Sequence, residues 1–436
     1  MSITRRQLLQ RTACGFGHTA LLALLHEQAH GEQRTVAASP LAVKQPHFAP
    51  RAKNVIFLFL HGGVSHVDTF DPKPALDKRH GEPLPFAQQL QFAGQLGDLL
   101  RSPWKFQQHG ESALPVSELF PQMASCIDDI CVVRSMKVEQ VDHGGAILQL
   151  HTGSAVFPRP SVGAWVVYGL GTENRDLSGL VTISPPSIHG AAQNAASGFL
   201  PAAFQATPIG NATVSMKNAT IRDLSPAEQT RHLQRLQLDL IQKRNRTYRD
   251  RVAEDSRLEA RIEAFELAFR MQTSAPDALD LARESKATHA AYGVDADPTD
   301  NFARQCLLAR RLVERGVRFV QCSHTYKWDQ HGDLKNGHEN NAREVDQPIA
   351  ALLRDLKQRN LLSVTVEMMT HDGAILNSKT RGRQADCRDA IFPNGSLRRR
   401  HWWMGLLQPS VARIIACQSG SLISPNVREP SRSAQQ

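Results

Sequence analysis

The chain has no C-x-x-C pair. Its seven cysteines, Cys14, Cys126, Cys131, Cys306, Cys322, Cys387 and Cys417, are irregularly spaced and odd in number. That argues against a zinc ribbon and against a paired disulfide framework. Cys306 falls in a helical pattern and Cys322 ends a strand pattern, so both are read as small core residues. Past the N-terminus, no stretch approaches the roughly 18 consecutive apolar residues of a spanning helix, and no stable membrane span is expected. RRM, zinc-finger and helix-turn-helix patterns are missing too. The formal charge of +9 is spread along the chain apart from Arg398-Arg399-Arg400, so a nucleic-acid partner is not expected. A weak attraction for anionic polymers or substrates is consistent with that charge.

What is present is an ordinary globular composition, 41% hydrophobic and 21% charged over 436 residues. Such a length supports a large core or two to three domains. At the N-terminus Arg5-Arg6 precedes Leu8-Leu9 and a mildly apolar stretch from Ala13 to Leu25. This is the pattern of a twin-arginine (Tat) export signal. Residues 1–30 are assigned to the signal and 31–48 to a linker. The mature protein is expected in the periplasm or outside the cell, with the Tat machinery as its export partner. That route carries folded proteins, which suits a chain that takes up a metal before export.

The most informative stretch is Asn54–Pro74, NVIFLFLHGGVSHVDTFDPKP. Val55 to Leu60 is a continuous apolar run, as expected of a strand buried on both faces in a parallel sheet. His61-Gly62-Gly63 then permits a sharp turn and close backbone approach. Ser65, His66, Asp68, Thr69 and Asp71 follow at once. Ligands of open α/β sheets bind beyond the carboxyl ends of the strands. Potential metal ligands and a hydroxyl nucleophile therefore stand where a site is expected.

The pattern recurs. Ile130–Ser135 predicts a second buried strand, followed by Glu139, Asp142 and His143-Gly144-Gly145. Asp142 and His143 are candidates to line the same site. Ser161 predicts the cap of a helix packed through Trp165 and Tyr168. Leu180–Ile183 is a third strand; Phe199–Gln205 is read as part of a cleft wall. Ser225-Pro226-Ala227-Glu228 predicts a helix start. Leu233, Leu236 and Leu240, then Leu258, Ile262, Phe265 and Phe269, predict a helical hairpin inserted over 225–271. A helix over Phe302–Arg315 ending at Gly316, a strand over Val317–Cys322 and a helix over Glu344–Arg359 complete an α/β alternation. The loop after that strand holds His324, Asp329, His331, Asp333 and His338. A carboxylate and an imidazole two residues apart can turn toward one cation. His with Asp suits zinc, manganese or iron, and carboxylates with water suit calcium or magnesium.

Several long segments resemble one family. They are FLFLHGGVSHVDTFDPKP, HTGSAVFPRPSVGAWVVYGLGTEN, FLPAAFQATP, FARQCLLARRLVERGVRFVQ, WDQHGDLKNGHENN and REVDQPIAALLRDLKQRNLL, between Lys53 and Leu362. They resemble the domain of unknown function 1501 proteins, of the alkaline-phosphatase/sulfatase-like superfamily. The resemblance implies an α/β sandwich over residues 49–362, with a mostly parallel central sheet flanked by helices. It implies an exported metal-dependent hydrolase of phosphate or sulfate esters, acting on a small-molecule or polysaccharide ester. The implied metal ligands are His61, His66, Asp68, Asp329 and His331. Ser65 or Thr69 would supply the attacking oxygen, and Asp142, His143, Asp333 and His338 would line the site. The cofactor would be one or two divalent ions, with zinc, calcium, magnesium and manganese left open.

After Leu362 the family's G-E-F-G-R-T-P and G-R-D-H segments are not found. His371-Asp372-Gly373 does not match them, and residues 363–436 read as a divergent or frameshifted, poorly ordered tail. Two outcomes stay open: a hydrolase, or an inactive exported binding or scaffold protein that keeps the fold.

Overall fold

The computed structural model describes residues 39–46, 50, 52–84, 97–134, 138, 140, 142–190, 192–222, 224, 231–249, 256–325 and 327–363, and the backbone of three strands at 365–371, 375–376 and 414–417. Contacts divide the chain into Met1–Ser39 and Pro40–Gln436. The expected export signal, most of the linker, the helix start at Ser225–Glu228, Glu139 and Asp372 lie outside the described residues.

In chain order the elements are β1 (Asn54–Leu60), α1 (Pro74–Lys78), β2 (Phe106–His109), β3 (Leu114–Ser117), α2 (Pro121–Ala124), β4 (Cys131–Val133), α3 (His143–Thr152), α4 (Val162–Leu170), β5 (Leu180–Ile183), β6 (Thr207–Ile209), α5 (Arg231–Arg249), α6 (Ser256–Leu279), α7 (Lys286–Tyr292), α8 (Asp300–Glu314), β7 (Phe319–His324), α9 (Leu334–Gln358), β8 (Thr365–His371), β9 (Ile375–Leu376) and β10 (Ile414–Cys417). The large sheet runs β4-β10-β8-β1-β7-β5-β6, with β9 against β10, and β2-β3 is a separate hairpin. Every described pairing in the large sheet is parallel except β9 with β10.

The continuous apolar run of β1 has a direct cause. Side chains alternate across a strand, and both faces of β1 are covered. Ile56, Leu58 and Leu60 pack with Phe302, Leu308 and Leu312 of α8 and Ile349 and Leu352 of α9. Phe57 and Phe59 pack with Ile147 of α3, Val167 of α4, and Leu267 and Met271 of α6. Each such side chain contributes about 1.5–3 kcal/mol when fully buried, so Ile56–Leu60 anchor both helical layers to one strand. α8 turns Leu307, Leu308 and Leu312 inward and stops before Gly316, whose φ is +81°, as the sequence predicts.

Other expectations need correction. β4 is only half-buried because it is the outermost strand. Ser161 caps α4 as expected, its Oγ accepting from Ala164 N–H at 3.2 Å. Trp165 and Tyr168, however, are exposed; Gly163, Ala164 and Val167 make the inner face. Leu233, Leu236 and Leu240 also face outward. The α5–α6 contact is polar instead: Arg235 pairs with Glu266 at 3.0 Å, and Gln242 Nε2 donates to Ile262 O at 3.0 Å. α6 buries Ala260, Leu267, Met271, Ala275 and Ala278 and leaves Phe265 exposed, because small side chains allow the closer approach. The strand expected at Val317–Cys322 is shifted, so Ser323 and His324 lie inside β7. α9 begins at Leu334, well before Glu344, and His338 is a buried helical residue rather than a loop residue. Phe199 is exposed while Phe204 is buried. Among the described residues no helix is long and apolar enough to cross a membrane.

Candidate active site

The turn after β1 is built on two glycines. Gly62 and Gly63 have φ of +116° and +88°, values that a side chain resists. A Cβ on Gly62 would lie 2.8 Å from Asp329 N and 2.9 Å from Trp328 N. The turn is thus pressed against the loop after β7. The His61 carbonyl accepts Trp328 N–H at 3.4 Å and Lys327 N–H at 3.3 Å. Trp328 is fixed in turn: its indole N–H donates to His324 Nδ1 at 2.9 Å, and His324 Nε2 meets Glu344 Oε2 at 2.9 Å. The two stretches expected to form halves of one site therefore meet through backbone contact.

Two groups of polar side chains are set out from this junction. The first is rich in imidazole. His61 is buried, stacks on Phe59, and places Nε2 3.2 Å from His189 Nδ1. His189 lies on the loop after β5 with φ +53°, and its ring centroid is 5.6 Å from that of His143. His143 Nε2 lies 3.2 Å from Asp329 Oδ2, and His331 Nε2 lies 2.8 Å from the same oxygen. Burial, and then the neighbouring imidazoles of His189, His143 and His151, push the pKa of His61 down to about 3. It is a neutral donor at physiological pH.

The second group couples a hydroxyl to a carboxylate. Ser65 Oγ donates to Asp68 Oδ2 at 2.5 Å, and Ser65 N–H donates to His338 Nε2 at 3.0 Å. Asp68 and His338 are both buried. Burial holds the His338 pKa down to about 4, against the opposing pull of Asp68. Its ring lies 5.3 Å from Trp328 and 6.0 Å from Trp104, centroid to centroid. Thr69 is fully buried and donates Oγ1 to Ser65 O at 2.9 Å.

Three other candidates take part in local hydrogen bonds. His66 offers its carbonyl to the amides of Thr69, Phe70 and Asp71. Asp142 caps α3, accepting Gly145 N–H at 2.9 Å. Asp333 precedes α9 with φ +50°, and both its oxygens take Asn336 Nδ2 at 2.9 Å. The expected metal ligands are thus divided: His61, Asp329 and His331 stand with the imidazoles, and Asp68 stands with the hydroxyl. His189 was not foreseen. The signal for it is a His-Gly pair, shared by His61, His143 and His331, but also by His30, His80 and His109.

The donor types suit a divalent ion. Zinc–nitrogen and zinc–oxygen bonds of about 2.0–2.2 Å in a tetrahedron put neighbouring donor atoms roughly 3.3 Å apart. The spacings of 2.8 and 3.2 Å about Asp329, and of 3.2 Å between His61 and His189, are near that edge. Among the described residues no three such side chains already converge on one point. The fit is therefore one of donor type and pairwise spacing alone.

Fold and site together define an α/β protein with a mostly parallel sheet, helices on both faces, and His/Asp chemistry at the carboxyl ends of β1 and β7. The chain belongs to the family described as Protein of unknown function (DUF1501), whose profile it matches over residues 52–371. The match runs beyond Leu362, where the resemblance was expected to end, and takes in β8, which pairs along β1. Comparison with curated proteins and with solved structures gave no match.

Proposed function

We propose that this protein is an exported, metal-dependent hydrolase of phosphate or sulfate esters. Its fold would be of the alkaline-phosphatase/sulfatase-like kind with an inserted helical hairpin, and its route the Tat pathway. The observation that carries this reading is the Asp329 carboxylate, set between His143 and His331 beside the His61–His189 pair. A divalent ion bound there would supply Lewis-acid stabilisation of the ester oxygens.

The chain's own residues do the rest. Ser65 is the nucleophile favoured by geometry, because its hydroxyl already donates to a buried carboxylate, whereas the Thr69 hydroxyl is buried and committed to a carbonyl. Asp68 takes the proton as Ser65 Oγ bonds to phosphorus or sulfur, and the bond to the alcohol oxygen breaks. The alcohol leaves with that proton. Water then attacks the phosphorus or sulfur of the Ser65 ester and gives one proton to Asp68; the bond to Ser65 Oγ breaks, Asp68 returns the proton to that oxygen, and inorganic phosphate or sulfate departs. His338, neutral at physiological pH, holds the Ser65 amide and so the position of the hydroxyl.

The test is a panel of aryl phosphates and sulfates with protein stripped of metal and resupplied with zinc, manganese, calcium or magnesium. Turnover that needs an added ion and is lost in Asp329→Ala is expected. No turnover with any ion sinks the hydrolase reading, and retained ion binding would then favour an exported binding protein.

A further inference from the structure

We propose that the outward face of α5 is a membrane-surface site that seats the protein on anionic phospholipid. The helix lies along the bilayer surface and does not cross it. This goes beyond the hydrolase reading and does not rest on it.

α5 is amphipathic in the opposite sense to a core helix. A helix on a globular surface normally turns its apolar face to the core. In α5 the inner face is polar: Gln242 is fully buried, and Arg235 reaches Glu266 of α6 at 3.0 Å. Of its described apolar side chains only Leu238 is buried. Leu236, Leu240, Ile241 and Tyr248 are between 43% and 65% exposed. Leu236, Leu240, Arg244 and Tyr248 follow one another at four-residue spacing, which puts them on one face of the helix. An exposed apolar stripe rimmed by polar residues marks a surface that another molecule covers.

Charge decides what covers it. α5 holds six basic residues and a single acid, Asp239, which already accepts from Arg235 Nε at 2.9 Å. Lys243, Arg244 and Arg246 are exposed alongside the stripe. A second copy of the chain, packed stripe to stripe, would set these cations against their own like, which is repulsive. An anionic bilayer complements both features at once. Its headgroups attract the cations, whose apolar stems lie against lipid while the charges stay wet. Its acyl boundary takes the leucines, as it does for other basic amphipathic helices. Tyr248 has an apolar ring and a polar tip, which suits the same level. The formal charge of +9 on the whole chain acts in the same sense.

The experiment is sedimentation of the full chain with vesicles of phosphatidylcholine, alone or with phosphatidylglycerol added, at low and high salt. Binding to the anionic vesicles only, weakened by salt, is expected. Lys243→Gln, Arg244→Gln and Arg246→Gln together should weaken it on the order of 100-fold. Lys78→Gln, Lys105→Gln and Lys217→Gln together remove the same charge at other exposed positions and should stay close to the wild type. Leu236→Ser with Leu240→Ser should also lose binding, because the charges alone do not bury the stripe. Leu240→Trp places a reporter on the face, and brominated phosphatidylglycerol should quench its emission in excess of the wild type. Circular dichroism checks that each variant is folded. Wild-type binding in the folded double leucine variant, equal loss in the two charge variants, or no excess quenching in Leu240→Trp overturns the proposal. So does a dimer, seen by analytical ultracentrifugation, that the double leucine variant abolishes while the wild type leaves vesicles unbound.

Discussion

The two halves of the site are assembled from different numbers of chain segments. Around Ser65 the hydroxyl meets a carboxylate, the amide meets an imidazole, and Thr69 meets the intervening carbonyl, while His338 Nδ1 is buried without a hydrogen-bond partner. Its members come from one turn and one helix, α9, whose Leu352 and Leu356 are fully buried. Around Asp329 the members come from four segments, and nitrogen and oxygen donors are held against one another. The first half couples a hydroxyl to a buried carboxylate; the second gathers imidazoles about one carboxylate. Gly62 is the hinge between them.

The sharpest way to break this contrast is Ser65→Ala. It removes the proposed nucleophile and leaves the imidazole half intact. Turnover should fall by about 10³-fold or more, which corresponds to roughly 4 kcal/mol of barrier, while metal affinity stays at the wild-type level. Equal activity in Ser65→Ala, with activity lost in Thr69→Ala, would move the attacking oxygen to Thr69.

Gly62→Ala attacks the hinge. The new methyl would press on the backbone of Trp328 and Asp329, at a φ of +116° that alanine resists. Overpacking and a disfavoured backbone together should cost about 3 kcal/mol, read as a shift of the denaturant midpoint. Metal affinity and turnover should fall together, since both halves hang on this turn. A fully stable variant with wild-type zinc binding would show that the halves are independent.

The contrast also marks what could be read from the sequence. Val55–Leu60 announced a strand buried on both faces, because nothing polar interrupts it and helices cover both sides. The α8 pattern with its terminal Gly316 was legible for the same reason: burial and backbone conformation act on contiguous residues. His189 was not, since its partner His61 is distant in the chain and nothing local to Ser187–Gly190 encodes the pairing. His338 was misplaced because Gly337 and a polar run from Glu339 to Asn341 blur the periodicity of the first turns of α9. Trp165 and Leu236 were turned the wrong way by the rule that the bulkiest apolar residues face inward. In α4 the glycine-containing face packs closer, and between α5 and α6 a paired arginine occupies the contact.

Acid should loosen both halves together in the metal-free protein. His61 and His338 titrate in the folded chain near 3 and 4, below the 6.5 of a free imidazole. The unfolded chain therefore binds more protons below pH 6.5. Stability should be fully present above that value and be lost as the pH falls toward 4 and then 3. A loss on the order of 1–3 kcal/mol is expected, measured by denaturation at a series of pH values. The slope should be shallower in His338→Gln. Stability that is flat or rises on acidification would mean that these imidazoles are more open to water than their burial implies.

The smallest effect is expected at His331. Its imidazole is 84% exposed, although it lies 2.8 Å from Asp329 Oδ2. An exposed pair of this kind is worth about 0–1 kcal/mol, because water competes for both partners. His143 contacts the same oxygen at 3.2 Å but is only 26% exposed, so its contact is less screened despite being longer. His331→Ala should therefore weaken zinc binding by less than about 10-fold, and His143→Ala by about 100-fold. Exposure to water, rather than distance to Asp329, sets this order. If the two variants are equally damaging, the His331 ring must turn inward when the ion binds, and the loop after β7 closes over the site. If His331→Ala is the worse, Asp329 and His331 act as the paired ligands expected from their spacing, and His143 serves only to orient the carboxylate.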